Sequence, residues 1–251
     1  MKKTLATLTL LSVVAGCGAD PATQARIGEL EQRLSAAEEK LAKGGAGPAV
    51  NPAARPPAEP IDQEAEKAAA QILKDANTAF EEMRFDETRE KLAELNEKFP
   101  TTRAARAAKR IEDELEVIGK DAGSLEVDMW YQGETSMADG DATLLVFWEV
   151  WCPHCKREVP KVEATYTKYK GAGLNIVGLT KQTRDVTEDQ VKEFIASNNI
   201  TYPIAKEAGQ AMSTRFGVKG IPAAAVVKDG KVVWRGHPAR ITDQMIEGWV
   251  N

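Results

Sequence analysis

The hydrophobic periodicity of this chain changes once, near Gly123, and that change divides what the two parts can form. From about Ile61 to about Gly119 apolar residues recur at helical spacing. The pattern breaks near Arg84-Phe85-Asp86 and at Phe99-Pro100-Thr101-Thr102, which predicts three consecutive helices, the third capped by Thr101 or Thr102. After Gly123, short runs rich in Val, Ile and aromatic residues alternate with helical ones, the pattern of an α/β domain. Strands are expected near 125–130, 144–148, 175–179, 202–205, 223–227 and 231–235. Helices are expected from about Cys152, at 187–198, at 207–216 and at 242–249. Asp229-Gly230 between two β-branched runs marks a hairpin, so the sheet is mixed.

The 251 residues suit one main domain with accessory segments. Residues 1–16 read as a leader, with Lys2 and Lys3 ahead of an apolar run, Leu5 to Val14, that is too short to span a bilayer comfortably. It ends in Val14-Ala15-Gly16-Cys17, which resembles the lipobox of bacterial lipoproteins, where cleavage leaves an acylated Cys. The resemblance implies export and membrane attachment through a lipidated Cys17; an ordinary signal peptide with a chance Cys is the alternative. Gly18 after Cys17, rather than Asp, points to the periplasmic face of an outer membrane in an organism that has one. The formal charge is −5, and loss of Lys2 and Lys3 makes it more negative, so no nucleic-acid partner is expected.

Within 17–43, Ile27, Leu30, Leu34, Ala37 and Leu41 alternate spacings of three and four, a short heptad pattern open to two readings: a solvated spacer or an oligomerising helix. Residues 44–60, rich in Gly, Ala and Pro, read as an extended linker that holds the protein away from the membrane. In the helical segment 61–122, the run from Phe85-Asp86-Glu87 through Leu92 and Leu95 to Phe99-Pro100 resembles a single tetratricopeptide-type hairpin, with Thr88 where a small Ala is usual. One hairpin cannot bury its face alone, so a structural role against a third helix or the next domain is favoured over peptide binding.

In the remaining segment, 123–251, the chemistry concentrates in Trp151-Cys152-Pro153-His154-Cys155. With Cys17 assigned to lipid, Cys152 and Cys155 are left to pair in an oxidising compartment. A Cys at the first turn of a helix has its thiolate favoured by unpaired N–H groups and the helix dipole. Cys155, one turn on, lies close enough to resolve a mixed disulfide made at Cys152. Pro153 suits the first turn, and His154 can place a charge or a donor beside the Cys152 sulfur, so both tune the redox pair. Half of a zinc site is the competing reading, but no second Cys pair exists and only His154 and His237 remain as ligands, so no metal is assigned. A structural disulfide fits poorly in a pair that follows an apolar strand and opens a helix.

From about Ser124 to Asn251 the sequence resembles the thioredoxin superfamily, and more narrowly its membrane-tethered TlpA/ResA-like branch. The resemblance rests on Leu144-Leu145-Val146-Phe147-Trp148 entering the Cys pair, then Lys156-Arg157-Glu158-Val159-Pro160, then Gly220-Ile221-Pro222-Ala223. It implies a thioredoxin-like α/β fold with a mixed central sheet behind a small all-α segment, and a kink at Pro160. It also implies a cis Ile221–Pro222 bond that packs beside the cysteines and presents Ile221 backbone groups to an extended substrate, with Trp151 and Pro222 lining the same surface. Glu158 falls at the branch's Cys-x-x-Cys-x-x-Glu position and is a candidate proton acceptor for the less exposed thiol, the competing reading being a solvated helix-face Glu. Thioredoxin itself carries a buried Asp where this chain has Val146. His237, with no partner visible in the sequence, is read as structural.

The reaction implied is thiol–disulfide exchange with protein thiols and disulfides, needing no cofactor beyond the Cys152–Cys155 disulfide, with an unidentified upstream redox partner. The Pro-His dipeptide resembles that of the oxidant DsbA, whereas the longer domain resemblance is to branches that mostly reduce, so reduction of exported proteins is favoured over disulfide formation. A lipoprotein scaffold with a passive thioredoxin-like module is the non-enzymatic alternative. A thiol peroxidase is not supported by this arrangement of cysteines.

Overall fold

The structure, a computed structural model, describes residues 21–42 and 62–251. Cys17, the leader and the Pro-rich linker therefore lie outside the described residues. Two compact units divide between Glu59 and Pro60. The first contains α1 (Pro21–Ala42), on which Ile27, Leu30 and Leu34 are 47%, 59% and 62% exposed. Among the described residues no helix is long and apolar enough to cross a membrane.

The second unit opens with α2 (Gln63–Glu81), α3 (Phe85–Lys98) and α4 (Arg103–Leu115). The Asp62 carboxylate accepts the Glu64 and Ala65 N–H groups at 3.0 and 3.1 Å, and the Thr102 hydroxyl accepts from Ala105 at 3.2 Å, so orphan donors at two helix starts are capped. Ala69, Ala76, Phe80, Leu92, Leu95, Ala108 and Ile111 close a core among the three helices. Thr88 fits that core fully buried because its hydroxyl donates back to the Arg84 carbonyl at 3.0 Å.

The rest is a six-stranded mixed sheet: β1 (Val127–Gln132), β2 (Ala142–Trp148), β3 (Leu174–Thr180), β4 (Ile204–Glu207), β5 (Ala223–Lys228) and β6 (Lys231–Gly236). Their order is β1-β4-β3-β2-β5-β6. β2 and β4 run parallel to β3, while β1–β4, β2–β5 and β5–β6 are antiparallel. Helices α5 (Pro153–Tyr169), α6 (Glu188–Ser197), α7 (Ala211–Arg215) and α8 (Asp243–Val250) flank it. β2 is buried at every position, and its alternation explains how. Leu144, Val146 and Trp148 join α5, α6 and α8 in one core, whereas Leu145 and Phe147 join Met212 and Phe216 on the other face. This is the thioredoxin-like arrangement with a helical segment ahead of it.

The helix expected over 207–216 is shorter than its sequence pattern. Glu207 completes β4 opposite Val127, Gly209 turns at φ +56°, and only Ala211–Arg215 is helical. The buried Glu207 carboxylate accepts the Ser213 N–H at 2.7 Å and pairs with Lys181 at 3.3 Å, so a residue counted as helical is the anchor of the turn. The expected hairpin is present: Asp229 and Gly230 have φ of +52° and +73°, as a tight two-residue turn between β5 and β6 requires.

The helical segment packs on the sheet rather than standing apart. Between α4 and β1 the chain runs beside β6, with Gly119 donating to Val232 at 2.8 Å and Val232 donating to Lys120 at 3.0 Å. Glu114 on α4 meets Arg240, and Asp113 meets Lys219 at 2.8 Å. Met83 and Phe85 pack against the core that contains both cysteines.

Candidate active site

β2 ends at Trp148, and the turn Glu149-Val150-Trp151 carries the chain to Cys152, the N-cap of α5. The Cys152 backbone is extended (φ −80°, ψ 115°), and its sulfur accepts the Cys155 N–H at 3.3 Å, the contact a helix-start cysteine is expected to make. Pro153 occupies the first turn, where its missing N–H costs nothing. Both cysteines are buried, 4% and 0% exposed. The Ile221–Pro222 bond is cis, and the Cys152 thiol donates to the Ile221 carbonyl at 3.7 Å, so the loop before β5 lies against the first thiol.

Burial pushes the Cys155 thiol far above its ordinary range, and contact with Cys152 adds to this. A hydrogen bond from the Glu149 backbone works the other way, while the Glu149 charge raises it further. A thiol held protonated is a poor leaving group from a disulfide and needs a base before it can attack.

The remaining expected residues divide between that centre and its rim. Trp151 is half-buried beside Cys152. The exposed His154 ring takes a hydrogen bond on Nδ1 from Arg157 at 2.6 Å; a guanidinium can only donate, so this nitrogen is the acceptor. Glu158 is one turn beyond Cys155, but its carboxylate accepts from Lys161 at 2.9 Å and borders a hollow of about 240 Å³ shared with Leu144, Pro238 and Ile241. His237 caps a short turn, its Nδ1 accepting the Ala239 N–H at 3.1 Å. Pro160 sits inside α5, where it removes one helical donor. Among the described residues no group of three or more His, Cys, Asp and Glu side chains is placed to hold a metal ion. The hollow of about 920 Å³ beneath β1 touches neither cysteine.

A model of the AhpC/TSA family matches residues 118–235. The thiol-disulfide oxidoreductase ResA of Bacillus thuringiensis strain Al Hakam is 33% identical over 119 residues, covering 46% of this chain and 67% of the relative. ResA of Bacillus thuringiensis subsp. konkukian is 31% identical over 139 residues, covering 54% of this chain and 78% of the relative. The chain belongs to the ResA family of thiol-disulfide oxidoreductases. Among solved structures, StoA from Bacillus subtilis aligns with a TM-score of 0.44 at 22% identity, covering 52% of this chain and 98% of that one.

In this ResA-family chain the sequence did not single out three residues near the site: Glu149 and Arg184, which contact Trp151, and Arg235, which bonds to chain on either side of the Ile221–Pro222 loop. Glu149 is 5% exposed, and its Oε2 accepts the Trp151 indole N–H at 2.7 Å and the Thr183 hydroxyl. Arg184, in the β3–α6 loop, lies over the Trp151 ring at 3.5 Å and, like its neighbour Asp185, has a positive φ. Arg235 on β6 is buried and donates to the carbonyls of Phe216 at 2.8 Å, Ala224 at 3.2 Å and Gly236 at 3.0 Å; burial pulls it down to about 10. Only Glu149 had a local signal, a carboxylate in an otherwise apolar run.

Proposed function

We propose that this thiol-disulfide oxidoreductase works in the reducing direction on exported proteins, from a lipid anchor at Cys17. What supports the direction is the length of the resemblance: over residues 123–251 the chain resembles branches that mostly reduce, whereas only the Pro153-His154 dipeptide resembles an oxidant.

In this reading the Cys152 thiolate attacks a substrate disulfide, breaking it and releasing one substrate cysteine as a thiolate that takes up a proton. Cys155 loses its proton and attacks the Cys152 sulfur. The mixed disulfide breaks, the second substrate cysteine leaves, and the Cys152–Cys155 disulfide retains the oxidised state. Two electrons pass to the substrate, and a separate dithiol partner must return them. Trp151, Ile221 and Pro222 form the surface against which an extended substrate segment lies, with the Ile221 carbonyl already facing Cys152. Pro153 and His154 adjust the pair from the first turn. No further cofactor is needed.

The lipobox-like Val14-Ala15-Gly16-Cys17 supports attachment, and Gly18 supports outer-membrane sorting on the periplasmic face. The direction is tested by quenching the protein with acid in its native compartment and alkylating the free thiols. Cys152 and Cys155 should be recovered mainly as thiols; recovery mainly as the disulfide would reverse the assignment.

A further inference from the structure

Closing the internal disulfide requires a base for a thiol that burial keeps protonated, and the strand beneath the pair supplies none: Val146 is apolar and fully buried in the same core as both cysteines. Glu158 is bonded to Lys161. The buried carboxylate at this end of β2 is Glu149. Its backbone carbonyl accepts the Cys152 N–H at 3.1 Å, fixing the turn against the start of α5. Its side chain is held by two neutral donors, Trp151 and Thr183, both on Oε2, which leaves Oε1 uncommitted to either. Among the described residues Glu149 forms no ion pair. On the other side of the Trp151 ring, Lys156 on α5, Arg184 and Asp185 in the β3–α6 loop and Glu193 on α6 border one hollow with that indole. Lys181 of that loop is paired with Glu207.

We propose that Glu149 takes the Cys155 proton when Cys155 attacks the mixed disulfide, and that Trp151 and Thr183 hold its carboxylate in place for this. This rests on the dithiol reading of the Cys pair. The Cys155 S–H bond breaks as its proton passes to Glu149; the Cys155–Cys152 bond forms as the Cys152–substrate bond breaks. Glu149 then gives its proton to the departing substrate thiolate or to water, which restores the carboxylate. Thr183 and Trp151 are positioning residues.

The test is stopped-flow reaction of the reduced full chain with a bis-nitrobenzoate disulfide, which releases one coloured thiolate when Cys152 attacks and a second when Cys155 closes. Glu149→Gln keeps a hydrogen-bond acceptor for Trp151 and Thr183. Its second release is expected to slow by about tenfold or more at neutral pH, within the range of general-base catalysis, while the first stays within about twofold. Between about pH 6 and 9 the variant's second release should climb more steeply than the wild type's, because only solvent base remains. Glu149→Asp should recover part of the lost rate.

A second release that keeps its wild-type rate and pH profile in Glu149→Gln overturns the proposal. So does equal slowing of both releases, the mark of a structural clamp, or wild-type closure in Glu149→Gln beside slow closure in Glu158→Gln. Absence of any second release from the wild type would instead sink the dithiol reading itself.

Discussion

Cys155 has no exposed surface, and the same burial that makes it a reluctant leaving group ties its protonation to folding. A folded-state value raised above the unfolded one contributes stability that is complete below the ordinary thiol range, about 8.5, and is lost as pH rises toward the raised value. The reduced protein should therefore lose more urea resistance between about pH 8 and 10 than Cys155→Ala does, read as the shift in unfolding midpoint. Equal losses in the two proteins would refute the account. Cys152, Cys155 and Pro222 were legible in the sequence because short spacings and a distinctive dipeptide define them. Glu149 showed only as a carboxylate in an apolar run; its setting was hidden, because its partner Thr183 is contributed by a loop 34 residues away, whose next two residues adopt a left-handed backbone that no local pattern announces.

Elements were legible wherever a local rule sufficed. Asp229-Gly230 dictated its hairpin, and Thr187 with Gln190 forms the capping box that starts α6. The shortened α7 was not legible, since Glu207 belongs to β4 through a partner, β1, that lies far away in sequence. The packing of the helical segment on the sheet was equally hidden, because it depends on Glu114 reaching Arg240 across 126 residues. With side chains 10% and 19% exposed, this pair sits between α4 and the turn after β6. Glu114→Ala leaves the guanidinium facing a protein wall without its counter-charge and should cost about 3 kcal/mol of unfolding free energy. Replacing both partners, Glu114→Leu with Arg240→Met, should cost less than the single change. Urea unfolding of the three proteins measures both effects; a neutral Glu114→Ala would mean that Asp113–Lys219, the backbone bonds to Val232 and the apolar contacts of Met83 and Phe85 hold the junction without it.

At the scale of the molecule, the proposed lipid site at Cys17 and the Cys152–Cys155 pair are separated in sequence by α1, the Pro-rich run and the helical segment. If Cys17 carries the lipid, Cys17→Ser should move the protein from the membrane pellet to the soluble fraction of fractionated cells, while the purified variant keeps its disulfide-exchange rate within about twofold. Retention in the pellet would assign attachment to another segment. The fold class could be read from the change of periodicity and the ResA-like motifs because those report on an α/β core whose strands are short and locally patterned.

Arg235 gives the catalytic face one further property. Its guanidinium is bonded to Phe216 on one side of the Ile221–Pro222 loop and to Ala224 on the other, so a single side chain from the neighbouring strand staples both ends of the segment that faces Cys152. On the substrate role proposed for Ile221 and Pro222, a rail fixed at both ends presents the same backbone to every client, and discrimination among clients falls to the side chains displayed along it.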